Sequence, residues 1–371
     1  MHWKTGGHKA ICKKVKKGGG AEQYHADKKY KDTVAVAVEK CADDTKGQTC
    51  YICTEAVHWK TKEGLVRMCA CHTTEGFVHV SCLREQAKLL VEEVEANNFE
   101  AKQERWARWN TCSLCNEHFH GVVRHALGWA CWKTYVGRPG GDWARRSAME
   151  LLANAFSVND NDKMALMIYE AIYDIERRLF QGDFEERSND DDMIDLQSYI
   201  ASCCHELGRH EEAIIARRTV YEKRLAKYGY LHEDTIYAAA NLAHSLVEDC
   251  WFAEAKMFLR DTISNAQNVL GNRHQTTIIM RRLSAKAAYI DPDASFGDVQ
   301  EAVATLEDVC RTARQVFGKD HPYHLQSRRD LEQARKRLSY EEGRLDPVNE
   351  ASEKLAKGLR IEGDDESEGI D

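Results

Sequence analysis

CYIC (Cys50–Cys53), MCAC (Met68–Cys71), HVSC (His79–Cys82) and CSLC (Cys112–Cys115) set the reading of the whole chain. They arrange Cys50, Cys53, Cys69, Cys71, His79, Cys82, Cys112 and Cys115 in four close pairs, spaced C-x2-C, C-x-C, H-x2-C and C-x2-C. A short gap lets both members of a pair reach one ion from a single tight turn, so each pair supplies half of a tetrahedral Zn²⁺ site. Four pairs complete two sites with none left over. Cysteines retained for packing are instead buried singly and lack such pairing. The spacing therefore predicts a small domain stabilised by two Zn²⁺ ions.

The remainder of the sequence bounds what surrounds that domain. The 371 residues have room for two or three domains, and 43% hydrophobic with 30% charged residues describes an ordinary globular composition. Four prolines and many Leu/Ala/Glu/Arg-rich segments favour helix. Fourteen cysteines in a short secreted chain would suggest disulfides, but Met1–Gly20 is basic and lacks the apolar core of a signal peptide. Metal-bound thiolates in a reducing compartment are expected instead, the cytoplasm or the nucleus. No apolar run is long enough to span a membrane. The net charge is −8, yet residues 1–40 hold ten Lys/Arg against four Asp/Glu. The rest is accordingly acidic, which argues against a nucleic-acid partner held by charge.

Order and intervals distinguish the cross-braced zinc folds. Seven residues separate Cys71 from His79, and a single residue separates Cys69 from Cys71. A PHD finger, which would make the chain a chromatin reader, has a shorter interval before its His and C-x2-C at its second pair. CYIC at the first pair and MCACHTTEGFVHVSCL around the middle ligands resemble the RING-CH (RING-variant) finger, over about 70 residues and with all eight ligand positions filled. That resemblance implies interleaved ligands: Cys50, Cys53, His79 and Cys82 on one ion, and Cys69, Cys71, Cys112 and Cys115 on the other. It also implies a ubiquitin ligase that binds a ubiquitin-conjugating enzyme and orients its thioester, catalysing by position. Ile52, Trp109 (or Trp106) and Leu114 are the expected contacts to that enzyme. Just past the last ligand, where many active RING fingers carry a cation, stands Asn116. Trp106 and Trp109 also read as anchors of the zinc core, and Leu83, Ala87, Leu90, Val91 and Val94 predict a helix after Cys82.

HWKTGGHKAIC (residues 2–12) resembles the closing segment of a MYND-type finger, with Trp3 before His8 and Cys12. Such a finger needs six earlier ligands, so this incomplete site is expected to hold no zinc by itself. Lys13–Lys40 reads as linker, with a short strand at TVAVAV (Thr33–Val38). Cys131 reads as a packing residue, Cys41, Cys203, Cys204, Cys250 and Cys310 as ordinary thiols, and His118, His120 and His125 as surface residues.

From Trp143 the chain repeats. GYLHEDT, GNRHQTT and GKDHPYH begin at Gly229, Gly271 and Gly318, and an alanine phrase tracks them at Ala213, Ala255 and Ala302. Each unit reads as two amphipathic helices that must stack on neighbours to bury their apolar faces. The Gly-x-x-His lead resembles kinesin-light-chain-like tetratricopeptide repeats. Units are expected at 143–180, 192–229, 232–271 and 274–317, with a closing helix at 321–340 and a short one near 348–360. The resemblance implies a groove for a protein or peptide substrate, which Asn241, Arg281, Arg282, Arg328 and Arg329 could line. Gln181–Asp192 reads as an exposed acidic loop and Glu362–Asp371 as a disordered tail.

The expected fold is thus mostly α: a small zinc-stabilised α+β cross-brace finger (47–120) followed by a tetratricopeptide-type α-solenoid (143–340). Around them lie the MYND-type remnant (1–20), linkers at 21–46 and 121–142, and a short helix with an acidic tail (341–371). The function predicted is ubiquitin ligation on a substrate chosen by the repeats; the alternative is a non-catalytic interaction scaffold.

Overall fold

The computed structural model describes residues 6–71, 75–97, 101–180 and 188–361, with side chains from Cys12 to Gly343. Two compact units result, residues 1–208 and 209–371. No helix among the described residues is long and apolar enough to cross a membrane.

In the first unit α1 (Gly6–Lys17) carries both His8 and Cys12; Cys12 is exposed, and the His8 side chain lies outside the described residues. The expected linker at 21–46 is largely a helix, α2 (Ala21–Lys40), which buries Ala26, Tyr30, Val34 and Ala37. Those positions recur every three or four residues and so share one helical face. Within TVAVAV, Val34 is buried and Val36 exposed, so the short alternation yields to the longer helical period. The expected strand at Thr33–Val38 is therefore replaced by helix.

The segment 121–142 is likewise no linker. Its first part is α5 (Gly121–Tyr135), which buries Val123, Ala126, Leu127, Trp129, Ala130, Cys131 and Tyr135. A helix buried on so many sides is a central one. It packs on α2, on α3 (Val80–Asn97) and on α6 (Trp143–Ser157). Only Val136–Asp142 connects, and this glycine-rich turn is pinned at both ends. Arg138 grips the Glu95 carboxylate of α3 at 2.6 and 2.9 Å, and Asp142 caps α6 by accepting the Arg145 N–H at 3.0 Å. Between α3 and α5 lie a short α4 (Lys102–Trp106) and one 3₁₀ turn, Ala107–Trp109. After α6, α7 (Asp162–Phe180) and α8 (Asp191–Glu206) complete the unit; of the expected loop 181–192, residues 181–187 lie outside the described ones. The β content of the described residues is two isolated bridges, Val66 with Val78 and Thr111 with His118, both in the finger.

The second unit stacks α9 (His210–Tyr228), α10 (Glu233–Glu248), α11 (Phe252–Leu270), α12 (Gln275–Ile290), α13 (Phe296–Phe317) and α14 (Pro322–Ile361), each packed on the next. The Gly-x-x-His phrase now has a physical role. Gly229, Gly271 and Gly318 end their helices at φ of 79°, 85° and 95°, a region that a side chain disfavours. Three residues on, His232 and His274 cap α10 and α12, each Nδ1 accepting a backbone N–H at 3.2 Å, and His321 makes the same bond to Tyr323 N ahead of α14. The core between helices holds Leu242, Leu246, Leu259, Met280 and Leu283.

The expected closing helix and the short helix near 348–360 are one continuous α14, which runs through Gly343 and Pro347. α10, α12 and α14 lie side by side and line a groove of about 640 Å³. Asn241, Arg282 and Arg329 face it, as expected, together with Tyr237, His244 and Tyr323. Arg281 does not: it pairs with Asp308 of α13 at 2.8 Å. Arg328 does not either, because it lies on the opposite side of α14.

Tyr30 is the bolt between α2 and the finger. Its ring is 4% exposed under the Lys133 ammonium, and its hydroxyl lies 3.0 Å from Ser81 Oγ. Tyr30→Phe, which removes only that bond, is expected to cost about 1 kcal/mol. Tyr30→Ala is expected to cost about 3 kcal/mol by opening a cavity. Urea denaturation of the two variants checks the order and the gap.

Candidate metal centre

The eight predicted ligands converge in two groups. Cys50, Cys53, His79 and Cys82 form one, Cys69, Cys71, Cys112 and Cys115 the other, and within each group the ligating atoms all lie within 4.8 Å of one another. The groups are interleaved along the sequence, so neither closes until the chain between has folded back.

Local turns bring each pair together. At Cys50, the backbone N–H donates to Glu55 O at 3.0 Å and Thr54 N–H returns to Cys50 O at 2.8 Å. Cys112 repeats this with Glu117 O and Asn116 N, both at 2.9 Å. Thr54 and Asn116 take positive φ, 64° and 59°, which turns the chain sharply after the second cysteine. Ile52 N–H and Leu114 N–H then point at Cys50 Sγ and Cys112 Sγ, at 3.4 and 3.5 Å. Amide donors aimed at sulfur stabilise a thiolate more than a thiol. His79 and Cys82 arrive from the start of α3 instead.

The donor geometry can be compared with a tetrahedral ion. Zn–S bonds near 2.3 Å put sulfurs about 3.8 Å apart, and a Zn–N bond near 2.0 Å puts nitrogen about 3.5 Å from sulfur. Cys71 Sγ and Cys112 Sγ are 3.7 Å apart, while His79 Nδ1 lies 3.4 Å from Cys53 Sγ and 3.7 Å from Cys82 Sγ. These separations also exclude disulfides, whose sulfurs approach to about 2.0 Å. Electrostatics points the same way. Burial first, and then neighbouring sulfurs, push the Cys71 and Cys82 thiols well above their ordinary value, so a cation is what would let these two sulfurs ionise where they sit. Burial lowers His79, which keeps the imidazole neutral and able to donate its lone pair. The residues present thus suit a metal of zinc's size and softness.

Gly76 closes the second group. At φ +85° it passes so near the sulfurs that a Cβ there would sit 2.9 Å from Cys71 Cβ and 3.2 Å from Cys69 Sγ.

The exposed tips differ from expectation in one respect. Ile52 is 37% and Leu114 47% exposed, on the two matching turns, which a Tyr51 hydroxyl to Ser113 Oγ bond of 3.0 Å ties side by side. Trp109 is 0% exposed and cannot meet a partner. Its ring lies 5.6 Å from Tyr135 and 6.3 Å from Trp106, which in turn packs against Trp143, so this cluster anchors the finger to α5 and α6. Cys131 is buried, as expected, and His118 and His120 are exposed. His125 is half-buried, accepting the Trp129 indole N–H at 3.0 Å.

A third turn of the same build went unread in the sequence. His58 N–H donates to Glu63 O at 3.0 Å, Lys62 N–H to His58 O at 2.9 Å, and Lys62 takes φ 59°. Here His58 and Thr61 stand where the other turns have cysteines, and they bond each other: Nδ1 accepts from Thr61 N at 3.1 Å and lies 2.8 Å from Thr61 Oγ1. The Glu63 carboxylate accepts from Ser81 N at 2.6 Å and Ser81 Oγ at 2.9 Å, capping α3 next to His79. The signal was present: CYICTE, CSLCNE and HWKTKE share their spacing and their final glutamate.

No protein-family model matches the chain, and no curated protein does. Solved structures do resemble it. A putative kinesin light chain with nearly identical TPR-like repeats from Podosopora anserina superposes with a TM-score of 0.44 at 18% identity, over 64% of this chain and 98% of that one. A singly substituted form of that same protein gives 0.42 at 19%, over 64% and 97%. BtubC (BKLC) from P. vanneervenii gives 0.42 at 14%, over 78% and 95%. The repeat stands on this chain's own helices and caps.

Gly76→Ala is expected to lower the zinc content of the loaded protein by about half, since one of two groups is obstructed. Gly47→Ala, also at positive φ but with open space around it, is expected to retain full content. Elemental analysis of dialysed protein distinguishes the two. Protons compete with metal for thiolates, and the lowered His79 takes up its proton more readily in the unfolded chain. Stability from this centre is therefore present at neutral pH and lost as pH falls through the imidazole range and below. A chromophoric chelator is expected to report zinc release on that acid side and none on raising the pH from 7 to 8.

Proposed function

We propose that the chain is a RING-CH-type zinc-finger ubiquitin ligase, with two Zn²⁺ ions in the interleaved groups and helical repeats that recruit a protein substrate. The observation that carries the reading is the pair of exposed aliphatic side chains, Ile52 and Leu114, on twin metal-binding turns locked together by Tyr51 and Ser113. Two rigid apolar tips beside a helix suit a shallow contact with a ubiquitin-conjugating enzyme. Gln86 of α3 borders the same place, 3.5 Å from Ser113 Oγ. Burial of the Tyr51 hydroxyl pushes its pKa up to about 12, so the bond that sets the two turns side by side persists at neutral pH.

The chemistry is aminolysis. A substrate lysine attacks the ubiquitin thioester carbonyl, the new amide forms, and the conjugating enzyme's cysteine leaves as thiol. The finger contributes orientation and no reacting group. Asn116 occupies the place where active fingers commonly carry a cation to touch ubiquitin. Arg108 brings a guanidinium there, its Nη1 donating to Asn116 Oδ1 at 3.0 Å and to Cys112 O at 3.2 Å. The reading places the protein in a reducing compartment, the cytoplasm or nucleus, where free thiols can take metal.

A second reading is a non-catalytic scaffold, in which the finger only braces the repeats. It is favoured by Asn116 itself, and by the burial of Trp109 that removes one expected contact. Autoubiquitination with a panel of conjugating enzymes separates the two. Ile52→Ala and Leu114→Ala are each expected to lower chain formation at least tenfold with zinc content unchanged, and Arg108→Ala to lower it several-fold. Wild-type protein that holds zinc yet makes no chains with any enzyme of the panel decides for the scaffold.

A further inference from the structure

α14 has two working faces. One lines the groove through Arg329; the other, turned the opposite way, forms with α13 a cleft of about 890 Å³. Leu325 and Leu331 supply apolar surface in it, and Leu331 packs onto the core around Leu306 and Ala334. Five cations, Arg311, Arg314, Lys319, Arg328 and Arg335, line its walls against two carboxylates, Glu307 and Asp320. Arg335 is satisfied by Glu307 at 2.6 Å and Arg311 by Asp308 at 3.5 Å. Arg314, Lys319 and Arg328 have no carboxylate at ion-pair distance among the described residues. Burial raises the Cys310 thiol while Arg328, Arg314 and Arg335 pull it back, so these charges converge on one point of the wall. His324 holds that wall in place, its Nδ1 lying 3.2 Å from the Cys310 carbonyl oxygen.

Unpaired cations over an aliphatic surface fit an extended acidic peptide with an apolar side chain. Nucleic acid fits less well: the one aromatic ring among the described lining residues is the buried imidazole of His324, which is bonded to the wall, and the chain's net charge of −8 repels a long polyanion. One such peptide belongs to this sequence. EGDDESEGID (Glu362–Asp371) carries six carboxylate side chains, no Lys or Arg, and Ile370.

Geometry decides whose tail it is. About 39 Å of helix separates Arg335 from Ile361 at roughly 1.5 Å per residue. Ten residues reach at most about 36 Å fully extended, and less once they must double back. The tail therefore falls short of its own cleft, whereas the tail of another molecule has no such limit. We propose that the α13–α14 cleft is an acidic-peptide site whose occupant is the Glu362–Asp371 segment of a second copy of this chain, so that copies join head to tail.

Because cleft and tail are different surfaces, the contact is heterologous and its two halves can be disabled separately. Sedimentation velocity on the full chain tests this. Wild type is expected to gain mass with concentration in 50 mM salt and to return to monomer in 500 mM salt. A cleft variant, Arg314→Glu with Arg328→Glu, and a tail variant, Asp364→Asn, Asp365→Asn, Glu366→Gln and Glu368→Gln, are each expected to stay monomeric alone. Mixed, they should form a dimer and nothing larger, since only one intact cleft and one intact tail remain. Labelled EGDDESEGID peptide should bind wild type at least tenfold more tightly than the cleft variant by fluorescence anisotropy, and circular dichroism should show equal helicity in both. Monomeric wild type at every concentration, assembly that survives either set of substitutions, or mixed variants that stay apart would overturn the proposal. So would an oligonucleotide of matched charge that binds the cleft more tightly than the peptide.

Discussion

Sulfur atoms brought together without a cation repel each other once ionised and waste their lone pairs when not. That conflict is what the finger is built around. Each of its two groups gathers four candidate ligands into a small space, where burial and neighbouring sulfur raise the Cys82 thiol in one and the Cys71 thiol in the other, and where a metal ion would remove the conflict. Because the groups alternate along the chain, satisfying one positions the other. The bridges Val66–Val78 and Thr111–His118 are too small to define a fold alone.

The helices around the finger turn that local order into a larger unit. α2 reaches it through Tyr30 and Ser81, α3 starts from its third turn, and α5 receives Trp109 against Tyr135. Aromatic side chains that resemble partner contacts in a sequence are thus spent on internal docking. The aliphatic side chains of Ile52 and Leu114, on the two turns, stay exposed instead. In the second unit a different device recurs: a left-handed glycine, then a histidine that caps the next helix. It sets the spacing of the stack more firmly than hydrophobic pattern alone.

The ligand pairs were legible because metal geometry demands short, fixed spacings that survive in one dimension. The Gly-x-x-His phrases were legible for the same reason, since each marks a backbone conformation few residues tolerate. What misled was α2 and α5. In α2 the six residues TVAVAV alternate like a strand, and their helical period emerges only when Ala26 and Tyr30 are counted with them. In α5, Gly121 at the start of the helix and the glycines after it look like the edges of a linker, whereas Val123 to Tyr135 fill the centre of the unit. Of the two readings of Trp109, anchor and partner contact, the anchor held; sequence distance to Cys112 alone could not choose, because it says nothing of which way an indole turns. The third turn escaped because His58 and Thr61 match the cysteine positions in spacing but not in chemistry.

That third turn has a consequence of its own. His58, Thr61, Glu63 and Ser81 close it with neutral and carboxylate hydrogen bonds alone, so its shape owes nothing to the supply of ions. The bonds from Glu63 to Ser81 fix the first turn of α3, on which Cys82 sits and which His79 immediately precedes. Two of the four donors gathered in that group thus sit beside a turn held by hydrogen bonds between carboxylate, hydroxyl and backbone, which involve no ion.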